Sequence, residues 1–468
     1  MTHHTTTVAV FLIVYMLTFA VSADEADLLR DLKAFFETND DNLRESIVQR
    51  IELNPDYKRT DLSRRLNQIE LFKPFSAGFV TLRASLENGA TRSVMVRVPV
   101  QYDPRHAYPL IYALHGQGGN GTEIIRYVER VFDENINQFI VAAPDQYTQV
   151  VIQSTTPPSA EHILALNAVR KELHVDSNRV YVLGYSRGGH AAWTLAVSHP
   201  AEYAGVAAVA GSLLLQDYGE LAEVFLPNLT ATHLYACWGQ NDVYGPDYRT
   251  PTPDGGIAGL NRRICELAGS LQLPVKWYEM PEAGHGNVIP PRKDLDELLA
   301  HTRVAYPASI CHVFRLVYQG RTAWIEPRDW QGPWWDQQPL KIRFNADENP
   351  DNPGVQRAAR VRAVRNLLGE VRGDVKDQEI KVYRKRINEL AVWIYDGMVD
   401  WDQPITLNVN GRKVYEGPIQ PDLFVCLSQA ARTYDFDRLY WAGLYFKSGS
   451  KVRIITGRTS FPPVSVTP

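Results

Sequence analysis

Across residues 75–320, short apolar runs alternate with longer segments of helical periodicity. Ser93–Val98, Leu110–Leu114, Phe139–Ala143, Val180–Leu183, Val206–Ala210, His233–Trp238 and Val275–Met280 read as strands. Several are almost unbroken apolar runs, as strands buried on both faces of a parallel sheet require. Ala160–Leu173, Gly188–Ser198 and Ala258–Ser270 read as the helices between them. The alternation predicts an α/β unit with a doubly wound, mostly parallel sheet.

The flanks are patterned differently. From Asp24 to Lys73 the chain is charged, with an apolar helical stripe at Leu28, Leu29, Leu32, Phe35 and Phe36. Pro55 interrupts it, and Asp61 reads as the N-cap of a helix Leu62–Leu71. Residues 24–74 are therefore expected to form a helical lead packed on the main unit. Beyond residue 320, Trp324, Trp330, Trp334 and Trp335 cluster, and Asp347–Pro353 reads as a loop. Arg357–Arg372 has the pattern of a basic helix with a solvated face. Ile380–Val382 and Ala391–Tyr395 read as strands. Ile405–Val409 and Arg412–Tyr415, joined by Asn410-Gly411, read as a two-residue hairpin. Residues 321–468 are thus expected to be a smaller β-rich module after a 75–320 catalytic unit. Its tryptophans are read first as core, since aromatic rings bury large areas.

The chain has 468 residues, too many for one ordinary core. A net charge of -4 gives no electrostatic basis for nucleic acid as a partner. At the N-terminus, the apolar run Val8–Ala20 leads into Ala20-Val21-Ser22-Ala23, with small residues one and three positions before Asp24. Residues 1–23 read as a signal peptide, which places the protein outside the cytoplasm, secreted or periplasmic, with no stable membrane span after cleavage. Cys237, Cys265, Cys311 and Cys426 allow three pairings, and none has metal-ligand spacing. A buried thiol is as good a reading of each as a disulfide.

The chemistry is concentrated around one segment. Val180–Leu183 runs into Gly184-Tyr185-Ser186-Arg187-Gly188 and then a helix. This strand–turn–helix context is that of a nucleophile elbow, in which small residues flank a serine on a strained turn. Serine needs a base, and the base needs an orienting carboxylate. Strand His233–Trp238 ends at Gly239-Gln240-Asn241-Asp242, which offers Asp242 as the acid. Asp247 and Asp254 are lesser candidates in a Pro/Gly-rich excursion. Strand Val275–Met280 ends at Pro281-Glu282-Ala283-Gly284-His285-Gly286, which offers His285 as the base. His190 and His199, bordering the helix after the serine, read as structural. The loop His115-Gly116-Gln117-Gly118-Gly119 follows another strand. It lets N–H groups near Gln117 and Gly118 join that of Arg187 as an oxyanion hole. Asn120-Gly121-Thr122 also fits a glycosylation sequon. Asp347–Asp351 has the opening spacing of a calcium loop, but Asn352 and Ala358 replace its glycine and terminal glutamate.

Over residues 78–305 these motifs resemble the α/β-hydrolase superfamily, most closely secreted esterases of the polyhydroxybutyrate-depolymerase, feruloyl-esterase and carboxylesterase type. The resemblance implies Ser186 as nucleophile, His285 as base, Asp242 as acid, and no metal or organic cofactor. It implies an exported serine hydrolase acting on a small-molecule or polysaccharide-linked carboxylic ester. The alternatives are a prolyl-oligopeptidase-type peptidase and a non-catalytic carbohydrate-binding protein. Against the first, the helical lead is too short to be a β-propeller.

Overall fold

The computed structural model describes residues 22–86, 89–145, 158–214, 219–243, 255–332 and 340–457. Residues 1–21 of the segment read as a signal peptide lie outside them, as do Asp247, Asp254, Trp334 and Trp335.

The lead forms α1 (Ala23–Glu37), α2 (Asp41–Leu53) and α3 (Leu62–Leu66). The first helical stretch breaks earlier than Pro55, because Asp40 caps α2 by accepting from the N–H groups of Asn42 and Leu43. The helix expected to run to Leu71 stops at Leu66, and Asp61 makes no capping bond; its carboxylate pairs with Arg64 instead.

The central sheet comprises β1 (Gly78–Ser85), β2 (Thr91–Val98), β3 (Tyr108–Leu114), β4 (Ile140–Pro144), β5 (Val175–Tyr185), β6 (Gly205–Val209), β7 (His233–Gly239) and β8 (Val275–Met280). Their order is β1-β2-β4-β3-β5-β6-β7-β8. The β1–β2 and β2–β4 pairs are antiparallel, and the remaining pairs are parallel. Five helices follow: α4 (Gly121–Phe132), α5 (Pro158–Glu172), α6 (Arg187–Ser198), α7 (Gly256–Ser270) and α8 (Arg292–Leu299). Side-chain alternation along β3 divides the core in two. Leu110, Tyr112 and Leu114 pack with residues of α5, α6 and α7, while Ile111 and Ala113 pack with residues of α4 and α8. Helices therefore cover both faces, and this is the α/β-hydrolase fold. The seven strands read from the pattern are present. Strand β1 is an addition to that reading. It is an edge strand whose Val80, Leu82 and Ala84 turn inward and alternate with exposed Thr81, Arg83 and Ser85, a half-buried pattern unlike the continuous apolar runs of the central strands.

The C-terminal region forms β9 (Ser309–Phe314), β10 (Ile325–Pro327), α9 (Pro353–Arg365), β11 (Gly369–Lys376), β12 (Glu379–Lys385), β13 (Glu389–Ile394), β14 (Ile405–Val409), β15 (Arg412–Gly417), α10 (Leu423–Thr433), β16 (Ala442–Lys447) and β17 (Arg453–Ile455). These strands build two further sheets, β15-β14-β12-β11-β9 and β10-β13-β16-β17. Three expectations change here. Strand β9 pairs with β11, so the β-rich unit recruits chain from before residue 320. The basic helix begins at Pro353, capped by Asn352, and ends at Arg365; the rest of that segment turns at buried Leu368 and enters β11. The helical lead packs chiefly on this unit: Leu32, Phe35 and Ile51 share a core with Leu423, Leu427 and Phe436 around α10. It reaches the central unit through the stacked rings of Phe72 and His174, 4.6 Å apart. The Asn410-Gly411 hairpin forms as read, with φ of 49° and 76° at its two turn residues. Trp324 is fully buried and Trp330 packs on the same core. In the Asp347–Asp351 loop, Glu348 is committed to Arg362 at 2.6 Å. All four cysteines are free.

Candidate active site

Strand β5 ends at Tyr185 and α6 begins at Arg187, leaving Ser186 alone at the turn with φ 57° and ψ -116°. A non-glycine residue there is strained, and the neighbouring backbone holds it in place. The Ser186 N–H donates to the Val209 carbonyl at 2.8 Å, and the His190 N–H donates to the Ser186 carbonyl at 3.1 Å. The tight turn also explains the flanking glycines. A Cβ on Gly188 would lie 2.0 Å from the Leu114 carbonyl oxygen, and one on Gly184 would lie 1.9 Å from that of Gly188. No side chain fits at either position.

Two loops at the carboxyl end of the sheet bring the other groups to the serine. Ser186 Oγ lies 2.7 Å from His285 Nε2, and His285 Nδ1 lies 2.8 Å from Asp242 Oδ2. Asp242 is fully buried, Ser186 is 7% exposed, and the His285 side chain is one-quarter exposed. The His285 turn and the Asp242 turn are tied together: Asn241 N–H donates to the Ala283 carbonyl at 2.9 Å. Gly284 N–H donates to Asn287 Oδ1 at 3.0 Å, which shapes the histidine turn itself.

The glycine-rich loop after β3 passes beside the serine. A Cβ on Gly116 would be 3.4 Å from Ser186 Cβ and 3.9 Å from Oγ. Gly119 N–H donates to the Gly116 carbonyl at 3.2 Å, closing a four-residue turn with Gln117 and Gly118 at its centre. Gly118 has φ +74°, which the third position of a type II turn demands. Gln117 and Gly118 are exposed, and their N–H groups take no backbone partner among the described residues. Arg187 is the first residue of α6, so its N–H is one of those a helix leaves unsatisfied internally. The structure thus brings together Ser186, His285 and Asp242 and sets the Gln117–Gly118 turn alongside them.

Two tyrosines escaped the sequence reading. Tyr185 Oη donates to the His285 carbonyl at 2.7 Å, and Tyr127 Oη donates to the Val288 carbonyl at 3.3 Å. Their rings lie 5.2 Å apart. Burial raises the pKa of both phenols, so they act as donors at neutral pH. Only the place of Tyr185 inside the elbow could have signalled this. His190, by contrast, is fully buried with Nδ1 against the Ser212 backbone, and burial pulls its pKa down to about 4. It therefore adds no positive charge beside His285. A cavity of about 640 Å³ opens at the glycine loop between α4 and residues 286–289. Among the described residues no three His, Cys, Asp or Glu side chains group as a metal site, and no helix is long and apolar enough to cross a membrane.

Residues 85–254 match the family model described as "Putative esterase". The match includes Gln117, Gly118, Ser186, Arg187 and Asp242 and ends before His285. Similar proteins include "Putative esterase NocK" of Nocardia uniformis subsp. tsuyamanensis, 31% identical over 157 residues, which are 30% of this chain and 44% of that one. "Probable feruloyl esterase C" of Aspergillus terreus is 21% identical over 204 residues, 42% of this chain and 65% of that one. The chain therefore spans less than two-thirds of the length of either relative. Among solved structures, the poly(3-hydroxybutyrate) depolymerase LpqC of Bordetella parapertussis is 17% identical with a TM-score of 0.37, covering 47% of this chain and 94% of that one.

Proposed function

We propose that the protein is an exported serine hydrolase that cleaves carboxylic esters through an acyl-enzyme. The observation that carries this reading is the hydrogen-bonded line from Ser186 Oγ through His285 to buried Asp242, next to a cavity lined by the adjoining Tyr185 and Gly286. Ser186 Oγ attacks the ester carbonyl while His285 Nε2 takes its proton. Asp242 holds the imidazole in the tautomer with Nδ1 protonated and stabilises the imidazolium that forms. The N–H groups of Arg187, Gln117 and Gly118 receive the oxyanion. Collapse expels the alcohol, protonated by His285. A water deprotonated by the same histidine then releases the acid and restores Ser186. Export is part of the reading and rests on Val8–Ala20 and the small residues before Asp24. The relatives named as esterases agree with the reaction class.

The test is turnover of short-chain p-nitrophenyl esters beside aminoacyl p-nitroanilides, for wild type and Ser186→Ala. Ester hydrolysis lost in the variant, with inert anilides, is the expected result. Anilide cleavage would transfer the protein to the peptidases. Ester turnover that survives Ser186→Ala would remove Ser186 from the chemistry.

A further inference from the structure

The cavity is lined by Tyr185 and Gly286, the chain neighbours of Ser186 and His285, and runs on along α4. One wall is a stripe of α4: Glu123, Ile124, Tyr127, Arg130 and Val131. These positions fall at i, i+1, i+4, i+7 and i+8, one face of a helix. The opposite wall is the segment 286–289 that follows His285. Tyr127 Oη bonds to the Val288 carbonyl across the two walls.

The lining is chemically graded along its length. At the inner end Glu123 lies over the glycine loop, its Oε2 3.1 Å from where a Cβ of Gly119 would be. Between the two charged residues lie Ile124 and Tyr127, with Val131 beside Arg130, and the lining includes Ile289, which is 59% exposed although apolar. A bound apolar chain would cover that side chain, as the core does not. At the outer end stands Arg130, exposed, its guanidinium 5.9 Å from the centroid of the Tyr127 ring. Among the described residues it forms no ion pair. A cation in the last turn of α4 suits the helix dipole, but that does not require its side chain to line the cleft. Glu123 and Arg130 are separated by roughly 10 Å of helix rise, so they mark opposite ends rather than a pair.

We propose that this cleft binds one arm of the ester, an apolar chain of roughly 10 Å whose far end is a carboxylate held by Arg130. The planar guanidinium fork matches a carboxylate in two parallel hydrogen bonds. Glu123 repels the same charge at the inner end, so a short dicarboxylate gains nothing from the site. Arg130 is then a specificity-determining residue. The inference rests on the esterase reading given above.

The test compares acid and methyl-capped forms of otherwise identical esters. For one arm the pair is mono-p-nitrophenyl suberate and its methyl-capped diester; for the other, the acetyl ester of ω-hydroxyoctanoic acid and of its methyl ester. Mono-p-nitrophenyl succinate with its capped form is the short control. The expected result is an acid-over-capped ratio of kcat/KM of about tenfold in one long pair at low salt. It should shrink in high salt and be absent for succinate. The ratio should fall towards one in Arg130→Gln and be retained in part in Arg130→Lys. A ratio near one in both long pairs, or one unchanged in Arg130→Gln, overturns the inference while ester turnover leaves the esterase reading standing. A folded wild type that cleaves neither these esters nor p-nitrophenyl butyrate overturns both.

Discussion

His285 is positioned from two directions, and the two supports act on different quantities. Asp242 bonds to its ring, while Tyr185 bonds to its main-chain carbonyl. On the proposed mechanism Asp242 selects the tautomer and stabilises a developing charge, so Asp242→Asn should lower kcat by about 10⁴. Tyr185→Phe removes only a positional restraint. It should lower kcat by about tenfold with little change in KM, since the rest of the cleft is intact. Steady-state kinetics on a p-nitrophenyl ester separates the two. Equal losses would mean that Tyr185 does more than hold the loop. The phenol was illegible in the sequence because its role depends on a carbonyl a hundred residues away. The serine, acid and base candidates were legible because each follows a strand in the order this fold needs.

Between elements, one buried amide helps to join the central unit to the β-rich unit. Asn228 Nδ2 donates to the Val197 and Val313 carbonyls, both at 2.7 Å, and its Oδ1 accepts from the Val313 N–H at 2.8 Å. It thereby joins the end of α6 to β9 with its side chain fully out of solvent. Asn228→Leu would strand three buried backbone groups at a cost of about 2–4 kcal/mol, read as a lower urea midpoint. A shift below about 0.5 kcal/mol would mean that the joint relaxes around the leucine. Boundaries between elements were where sequence reasoning failed. Strand β9 carries no mark saying which sheet it joins, and β11 lay hidden at the end of a basic segment whose helical pattern overran Arg365. Local pattern fixes an element's type where its periodicity is strong, as in β3 and α6. Partner choice is decided by contacts distant in sequence, such as Gly369 against the Phe314 ring.

At the scale of the molecule, the units meet around a buried ionic cluster. Arg303 pairs with Asp435 at 2.7 Å, Arg170 pairs with Glu202 at 3.3 Å, and Arg438 bonds to both carboxylates. Burial opposes ionisation of Glu202, but Arg438, Arg170 and Arg303 together hold its pKa well below the usual range. Asp437, beside this cluster, is the exception. Burial raises its pKa to about 6, with Asp435 and Asp176 adding to the rise and Arg303 and Asn67 opposing it. Asn67, from the helical lead, reaches both Asp437 at 3.4 Å and His174 of the central unit at 3.1 Å, so the carboxyl sits where all three units meet. In the unfolded chain the same group titrates near 3.9. Between about pH 4 and about pH 6 the folded chain keeps a proton that the unfolded chain has released, so stability falls as pH rises through that window. Above it the loss is complete, on the order of 3 kcal/mol for a shift of about two units. Asp437→Asn imitates the protonated carboxyl at every pH. It should therefore be more stable than wild type at about pH 7.5, with the difference shrinking towards zero near pH 4. Glu202 and Asp435 are both held ionised by the arginines, their pKa values lowered, so the comparison isolates the Asp437 carboxylate together with its repulsion from Asp435. Thermal unfolding of the pair across that range measures the difference directly, and a gain independent of pH would assign the stabilisation to hydrogen bonding rather than to the proton.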